Sequence, residues 1–472
     1  MTIAIMLFRR DLRLTDNTAL AAACKTNARV LPLYIHADHE EAPWNAGAAS
    51  HWWLHHSLEA LQRRLRGCGA NLHLLQGDTL HVLRNVIERS GAAAVYWNRR
   101  YEPAAVTRDT QIKAALREQG VAVHTYSANL WSEPWQVETK QGEPYRVFTP
   151  YWRNLRPSIT VTPPLLEPIG IKWVELPAGL TLAALKLLPR IRWDEGFGDT
   201  WRPGEAGAQD ALELFCDDAI VDYAAGRDLP ARHGTSRLSP HLHFGEISPR
   251  QIHHAIHRHT QRVDTRRRPD IEPYLRELGW REFAYHLLYH FPRTTTESFN
   301  PRFANFPWAP TNDAQLMRWQ QGRTGIPLVD AGMRELWHTG WMHNRVRMIV
   351  ASFLTKNLRQ HWSHGARWFW DTLVDADLAN NTLGWQWVAG CGADAAPYFR
   401  VFNPVSQARK FDPEGTYLRR WLPELADLPV DLLHEPWHEP SVLKRSGYPS
   451  PMVDVRASRE EALSAFQSWR GA

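Results

Sequence analysis

The chain has 472 residues, of which 44% are hydrophobic and 22% are charged, and its formal net charge is +5. These values are typical of a soluble globular protein with two or three domains. The cysteines (Cys24, Cys68, Cys216 and Cys391) are far apart and form no C-x-x-C pair, which argues against a zinc or disulfide scaffold and for a reducing compartment.

Three further classes of protein are disfavoured by local patterns: secreted proteins, membrane-spanning proteins and metalloproteases. The opening M-T-I-A-I-M-L-F is short and its arginines follow it, so it predicts a first β-strand and not a signal peptide. No apolar run approaches membrane-spanning length. His253 and His257 have H-x-x-x-H spacing without the acidic partner of a metalloprotease motif. We therefore expect a cytoplasmic protein that makes no membrane contact and has no metal site.

Short apolar segments alternate with helical patterns over the first part of the chain, which predicts an α/β domain with a doubly wound, five-stranded parallel sheet. The predicted strands are Ile3–Phe8, Val30–His36, Asn71–Gln76, Ala93–Trp97 and Val121–Tyr126. The predicted helices are Asn17–Cys24, Ala49–Arg66, Thr79–Arg89 and Ala104–Gln119, the third capped by Asp78. No G-x-G-x-x-G follows the first strand, so a classical dinucleotide-dependent oxidoreductase is disfavoured.

Prolines then interrupt a stretch of weak periodicity, among them Pro157, Pro163, Pro164, Pro168, Pro177, Pro189 and Pro203. This composition predicts an interdomain connection. Beyond it the pattern is helical, with Ser248 as a cap before Pro249 and with a helix from Asp270 that ends at Pro292. The expected organisation is an α/β domain over 1–130, a linker over 131–205 and an all-α domain over 206–472.

Basic residues cluster before the helix at Asp270, at Arg262, Arg266, Arg267 and Arg268. A cluster of this kind next to aromatic residues suits a nucleic-acid backbone, and a solvated charged face explains it equally well. Similarly, G-T-S-R-L-S from Gly234 to Ser239 suits either an anion site or a simple helix cap. Tyr223 and Arg227, about one helical turn apart, lie just upstream.

Two later helical segments combine charged and aromatic side chains. Glu277 and Trp280 share one side of a helix, so Glu277 is either a proton donor in a desolvated site or the partner of Arg281 in an ordinary ion pair. In G-W-M-H-N-R-V-R-M, Asn344 and Met348 are four residues apart. One arginine of that segment could pair with a carboxylate such as Asp375, or the helix is merely amphipathic.

The run from Asp375 to Pro404 gathers Asp375, Asp377, Asn381, Trp385 and Trp387 without a compensating apolar stripe. A surface rarely collects such tryptophans and a core rarely collects such polar side chains. The segment therefore predicts the lining of a cavity for a polar, aromatic ligand. The chain also has 23 tryptophans, more than packing requires.

Taken together, the motifs resemble the photolyase/cryptochrome family, whose motifs occur in the same order over almost the whole chain. They are F-R-R-D-L-R-L-T-D-N, G-T-S-R-L-S, E-L-G-W-R-E-F, G-W-M-H-N-R-V-R-M, D-A-D-L-A-N-N, G-W-Q-W and F-N-P-V-S-Q-A-R-K-F-D-P-E-G. Within the family, the sequence looks most like bacterial class I cyclobutane pyrimidine dimer (CPD) photolyases. The resemblance implies light-dependent DNA repair, in which excited, reduced FAD gives an electron to a dimer flipped out of UV-damaged DNA.

By the same resemblance, the helical domain holds FAD in a U shape. The implied FAD contacts are Tyr223, Thr235, Ser236, Arg237, Leu238, Ser239, Tyr274, Arg347, Asp375, Ala376, Asp377 and Asn381. Tyr274 stands where many relatives carry Trp, which keeps an aromatic wall. Arg347 would pair with Asp375. Asn381 would face the flavin N5, where an uncharged amide can accept a hydrogen bond from N5–H.

The resemblance also implies residues for the substrate and for electron supply. The implied DNA contacts are Arg227, Glu277, Trp280, Arg281, Asn344, Arg345, Met348, Trp387 and Gln407. Rings at two of these positions can stack on extruded bases. The implied catalytic residues are Glu277, Asn381 and an electron-transfer chain that runs from Trp385, nearest the flavin, through Trp362 to Trp308 at the surface. We expect a monomer.

Three alternatives remain open. A (6-4) photolyase would carry paired histidines where this chain has His343 and Asn344. A cryptochrome-like blue-light receptor often has a long C-terminal tail and another residue facing N5, whereas this chain ends at Ala472 and retains Asn381. A generic flavin oxidoreductase would need a second substrate site.

An antenna chromophore is expected in the α/β domain, but its identity is undecided. The stretch W-N-R-R-Y-E-P-A-A departs from the Asn-Glu pair of relatives that bind methenyltetrahydrofolate. Either Glu102 substitutes for that pair, or an 8-hydroxy-deazaflavin is bound, or the site is empty.

Overall fold

The computed structural model describes residues 2–26, 29–176, 179–263 and 268–471. They form two compact units, each discontinuous in sequence. The first unit comprises Met1–Trp193, Trp201–Val221 and Ser236–Pro292. The second comprises Asp194–Thr200, Asp222–Thr235 and Arg293–Ala472. Of the predicted basic cluster, Arg266 and Arg267 lie outside the described residues, as does Pro177 of the predicted linker.

A five-stranded parallel sheet forms the centre of the first unit, with strand order β3-β2-β1-β4-β5. Its strands are β1 Ile3–Phe8, β2 Arg29–His36, β3 His73–Gln76, β4 Ala92–Asn98 and β5 Ala122–Tyr126. Ile5, Leu33, Val95 and Trp97 lie in its core. The near-continuous apolar strands fit a sheet that is covered on both faces. The predicted fold class, a doubly wound five-stranded sheet followed by a helical domain, is confirmed.

Helices of the first unit begin and end where the sequence signals place them. Asp78 accepts a hydrogen bond from the amide of His81 (2.8 Å), and Ser248 accepts one from the amide of Gln251 (3.0 Å), so both predicted N-caps are present. The helices are numbered along the whole chain, and α6 and α8 belong to the second unit. Those of the first unit are α1 Thr18–Lys25, α2 Ala48–Gly67, α3 Thr79–Ser90, α4 Pro103–Glu118, α5 Phe148–Leu155, α7 Glu205–Leu214, α9 Ser239–His243, α10 Pro249–Arg262 and α11 Glu272–His290.

Up to Trp193, the described residues of the proline-rich stretch predicted as a linker belong to the first unit and form extended and 3-10 segments. The backbone contacts of these described residues include the following three. The amide of Leu165 donates to Asp16 Oδ1 (2.9 Å), Trp173 forms a parallel bridge with Val30, and the amide of Leu180 donates to the carbonyl of Leu74 (2.8 Å). The described parts of the stretch that make these contacts therefore lie along the sheet, and we call them the proline-rich strap.

The second unit is helical. Its helices are α6 Glu195–Thr200, α8 Tyr223–Gly226, α12 Asp313–Gln320, α13 Pro327–Thr339, α14 Asn344–Ser352, α15 Trp362–Thr372, α16 Leu378–Ala389, α17 Pro404–Phe411, α18 Thr416–Trp421, α19 Val430–His434, α20 Pro440–Ser446 and α21 Val455–Gly471. A π-helical turn, Phe353–Asn357, follows α14 directly. Across the described ranges, no helix is both long enough and apolar enough to span a membrane.

Candidate functional site

The predicted pair between Arg347 and Asp375 is present in the second unit. Arg347 Nη2 donates to both carboxylate oxygens of Asp375 (3.1 and 2.9 Å), and its Nε donates to the carbonyl of Met342 (2.7 Å). The Asp375 side chain is only 4% exposed. The pair therefore fixes the loop before α16, which includes the buried Ala376, against the start of α14.

Asp377 caps helix α16. Its Oδ1 accepts hydrogen bonds from the amide of Asn380 (2.9 Å) and from Asn380 Nδ2 (2.7 Å). One turn into the helix, Asn381 Nδ2 donates to the carbonyl of Ala366 on α15 (2.9 Å). Because that bond occupies the amide nitrogen, Asn381 Oδ1 is directed to the opposite side as an acceptor. This is the polarity that a hydrogen bond from a flavin N5–H requires.

Trp385 is buried in the interface between α16 and α15. It is 2% exposed, and its ring packs edge-on against Phe369, with centroids 5.0 Å apart. Gly365 makes this position possible, because a Cβ added there would lie 1.9 Å from Trp385 Cη2. Gly365 in turn lies one helical turn after Trp362, so helix α15 connects the two tryptophans.

A histidine lies between the other two tryptophans of the predicted chain. The ring of His361 is 5.4 Å from that of Trp362 and 5.3 Å from that of Trp308. Burial, together with a smaller contribution from the nearby His364, lowers the pKa of His361 to about 4, so the ring is neutral near pH 7. Trp362 is 1% exposed and Trp308 is partly exposed. The rings thus lead from a buried position to the surface.

Helix α14 separates its buried and exposed side chains as the sequence suggested. Val346 and Ile349 are buried, whereas Asn344 is exposed and Met348 is half-buried. Arg345 pairs with Asp228 (2.7 Å) and lies over the ring of Phe411. Since the guanidinium carries five donors, this pairing still leaves some of them for a phosphate.

Trp387 and Gln407, the last predicted DNA contacts, are joined by an irregular segment. The amide of Ala396 donates to the carbonyl of Trp387 (3.2 Å), and the amide of Gln407 donates to that of Asn403 (3.0 Å). Both side chains are half-buried. Between them, Phe399 is 59% exposed, a feature that the motif comparison did not identify.

The predicted phosphate-binding residues near α8 form a tight turn. Arg227 lies over the ring of Tyr223, with 5.4 Å between the guanidinium carbon and the ring centroid. Gly234 approaches α8 closely, because a Cβ on it would lie 2.4 Å from the carbonyl oxygen of Gly226. Thr235, half-buried, follows this close approach. A side chain at Gly234 would therefore push the loop away from Tyr223.

In the first unit, Tyr274 and Ser236 are brought together. Tyr274 Oη donates to Ser236 Oγ (3.0 Å), and its ring lies 4.5 Å from that of Phe215. Leu238 is buried, its amide donates to Ser236 Oγ (3.4 Å), and Ser239 begins α9. Arg237 has a φ of 51° and lies over the ring of Trp201. The loop is therefore a compact, hydroxyl-rich turn.

Helix α11 carries the remaining predicted residues. Trp280 stacks on Phe148, with ring centroids 3.8 Å apart and 9° between the planes, so the predicted stacking on a base would have to use the opposite face of the ring. Glu277 is half-buried. Arg281 is 8% exposed and donates to the carbonyl of Asn129 (2.7 Å). This geometry speaks against the predicted DNA contact of Arg281, because its charged head is already used inside the first unit.

Two residues next to the predicted electron-transfer tryptophans were not identified from the sequence. Gly365 was not identified because its role depends on a ring from another helix. His361 was passed over although it immediately precedes Trp362. A small residue three positions after a candidate tryptophan, on the same helical face, is a signal that could have identified Gly365.

Two family models match the chain, and both describe domains of DNA photolyases. Residues 4–168 match the DNA photolyase model, and residues 274–468 match the model of the FAD binding domain of DNA photolyase. The chain belongs to the photolyase/cryptochrome family.

Individual relatives can be aligned with nearly all of the chain. It is 46% identical over 471 residues to the deoxyribodipyrimidine photo-lyase of Agrobacterium fabrum, covering 98% of this chain and 97% of that one. It is 39% identical to Cryptochrome-2 of Arabidopsis thaliana, covering 99% and 79%. The crystal structure of a bacterial class III photolyase from Agrobacterium tumefaciens matches with a TM-score of 0.94 and 44% identity, covering 100% and 98%. The expected class I subtype stays a prediction.

Proposed function

We propose that the chain repairs cyclobutane pyrimidine dimers in DNA by light-driven electron transfer. One observation carries the proposal: a buried Trp385, on the same helix as Asn381, packs against helix α15 at Gly365, and α15 begins at Trp362. From there, His361 lies between Trp362 and a partly exposed Trp308. Such a path suits the delivery of electrons from the surface to a buried redox cofactor. The identity with a deoxyribodipyrimidine photo-lyase over nearly the whole chain supports the same function.

The residues present in each unit fit a flavin. Reduced FAD, when bound and excited by light, supplies the electron that opens the cyclobutane ring and receives it back. In the second unit, Asn381 Oδ1 would accept a hydrogen bond from the flavin N5–H, and the Arg347–Asp375 pair holds the loop that leads to Asn381. In the first unit, the Tyr274–Ser236 hydrogen bond places hydroxyl groups at a turn suited to ribose or phosphate.

Substrate recognition is proposed to combine stacking of aromatic side chains on the flipped bases with hydrogen bonds to the polar edges of those bases. Trp280 and Trp387 would stack on the flipped bases, since stacking of a base on an aromatic ring contributes about 1–3 kcal/mol. Glu277 and Asn344 would hydrogen-bond to the polar edges of the pyrimidines. Arg227 and Arg345 would contact phosphates, which makes binding weaker at high salt.

Glu277→Ala and Trp280→Ala are expected to lower repair without an equal loss of FAD. Because Trp280 offers one ring face, its loss should weaken binding of dimer-containing DNA about ten- to hundredfold. The measurement is dimer repair under blue light against a dark control, with FAD content determined from absorbance. Exposed Glu88 on α3 and half-exposed Trp337 on α13 provide matched controls, Glu88→Ala and Trp337→Ala.

The same assay separates the alternatives. If the wild-type protein repairs only (6-4) photoproducts, or repairs nothing in the light while its flavin is still photoreduced, the proposed CPD repair is wrong. In the second case a light-dependent receptor is favoured. Unchanged repair by both variants would reject the assigned roles of Glu277 and Trp280.

An antenna chromophore is proposed in the first unit, at a groove beside the carboxyl ends of β1 and β2, lined by Arg10, Tyr34, His36 and Arg100 among others. Ligands of open α/β sheets bind at this edge. Glu102 is an unsuitable substitute for a folate-binding acid, because it pairs with Arg100 (2.9 Å) and this pairing lowers its pKa despite burial. An absorption spectrum of the purified protein distinguishes a folate from a deazaflavin.

A further inference from the structure

Lys356 is a fully buried lysine for which the proposed repair mechanism has no role. It lies in the π-helical turn after α14, is 0% exposed, and donates from Nζ to the carbonyl of Arg400 (2.8 Å). Its ammonium also lies 5.5 Å from the centroid of the Tyr398 ring. Burying an ammonium costs free energy unless the ammonium is paired. These two contacts are the ones that offset the cost, so their partners indicate what the buried lysine does.

Both partners of Lys356 lie in the segment 391–403, which joins α16 to α17. The segment forms no helix or strand, so its backbone polar groups must find partners elsewhere. Ser352 provides a second anchor, since its Oγ accepts a hydrogen bond from the amide of Phe402 (3.3 Å). Tyr398 is 2% exposed and stacks on Phe466, so this side of the segment is fixed to the second unit.

The opposite side of the segment faces outward. Phe399 is 59% exposed, and Arg400 is also exposed. An exposed aromatic ring next to a guanidinium, between the proposed DNA contacts Trp387 and Gln407, has the chemistry to stack on a base and to pair with a phosphate. The conformation that exposes both side chains is the one in which the Arg400 carbonyl points inward to Lys356.

We propose that Lys356 is a positioning residue that holds the segment 391–403, and with it Phe399 and Arg400, in the conformation that binds damaged DNA. The choice of damaged DNA as the ligand rests on the proposed function, whereas the anchoring of the segment by Lys356 does not. As a positioning residue, Lys356 is assigned no contact with DNA or with the flavin. It acts through the backbone of Arg400 and the ring of Tyr398.

The environment of Lys356 makes the anchor dependent on pH. Burial and the nearby Arg400 lower the pKa of Lys356 to about 7, whereas Cys391 opposes that shift. Burial raises the pKa of the Cys391 thiol to about 12 and raises that of Tyr398. Among these neighbouring groups, Lys356 is therefore the one that titrates between pH 6 and pH 8.5. As the pH rises through this range, the ammonium and its attraction to the Tyr398 ring are lost, so the anchor weakens.

The test compares Lys356→Met with the matched control Lys444→Met, which removes an exposed lysine from α20. We expect Lys356→Met to weaken binding of a dimer-containing duplex about tenfold, while FAD content and the repair yield of bound DNA stay unchanged. Amide hydrogen exchange over 396–403 should become faster. Wild-type affinity should fall from pH 6 to pH 8.5, and Lys356→Arg should remove that fall. Lys444→Met should behave as wild type in each measurement.

Two results would overturn the inference. One is wild-type exchange over 396–403 in folded Lys356→Met. The other is a loss of FAD content in proportion to the loss of DNA binding, which indicates a general structural role. If Lys356→Met does not fold, Ser352→Ala removes the second anchor with a smaller change, and the same two measurements decide. If the wild-type protein fails to bind dimer-containing DNA, the proposed function fails, but the exchange measurement still tests the anchor.

Discussion

Gly365→Ala is expected to slow light-driven reduction of the flavin by at least about tenfold, which corresponds to about 1.4 kcal/mol in the activation barrier. The added Cβ would lie 1.9 Å from Cη2 and 2.3 Å from Cζ3 of Trp385, so the indole or helix α15 must move. Phe369 and Trp319 pack against other edges of that indole and limit its movement. Overpacking of this kind should also cost about 2 kcal/mol of stability.

Gly384→Ala is the matched control, because Gly384 immediately precedes Trp385 on the same helix. A Cβ there meets no atom within 4 Å, so we expect unchanged photoreduction and a gain of up to about 1 kcal/mol from helix propensity. Photoreduction is followed as the loss of oxidised-flavin absorbance under blue light with an external reductant. Equal slowing in both variants, or wild-type kinetics in Gly365→Ala, would contradict a role for the Gly365–Trp385 contact.

The sequence predicted the sheet of the first unit and the helices between its strands well because their signals are local. Each strand is a short apolar run flanked by breakers, and caps such as Asp78 and Ser248 act within one helical turn. The course of the proline-rich strap was less predictable. Its backbone is held by partners such as Asp16 and Leu74, which are distant in sequence, and no periodicity records such contacts.

The candidate site likewise contains features that the sequence predicted and features that it did not. The pairing of Arg347 with Asp375 was predicted because both belong to motifs with a recognised order. The burial of Arg281 was not, since its partner is a backbone carbonyl in a loop that no side-chain pattern marks. Gly365, His361 and Lys356 were overlooked for a related reason: a glycine, a histidine and a lysine acquire their roles here only from rings and carbonyls on other elements.

Arg347→Met is expected to destabilise the protein by about 3 kcal/mol, because it leaves a buried carboxylate without its partner. The Asp375 side chain is 4% exposed, and the carbonyl of Met342 would lose its donor as well. Asp375→Asn should cost less in the Arg347→Met background than alone, since a neutral amide needs no counter-charge, and the double-mutant cycle measures that coupling. Urea unfolding followed by tryptophan fluorescence provides the free energies.

Loss of FAD should accompany Arg347→Met, because the pair holds the loop before α16 from which Asp377 and Asn381 extend. The matched control is Arg63→Met, which removes an arginine that is 75% exposed and lies 3.6 Å from Glu59; an exposed pair contributes less than about 1 kcal/mol. If Arg347→Met retained wild-type stability and FAD content, the pair would be incidental to the site. Retained stability with lost FAD would instead indicate that Arg347 acts on the cofactor and not through the loop.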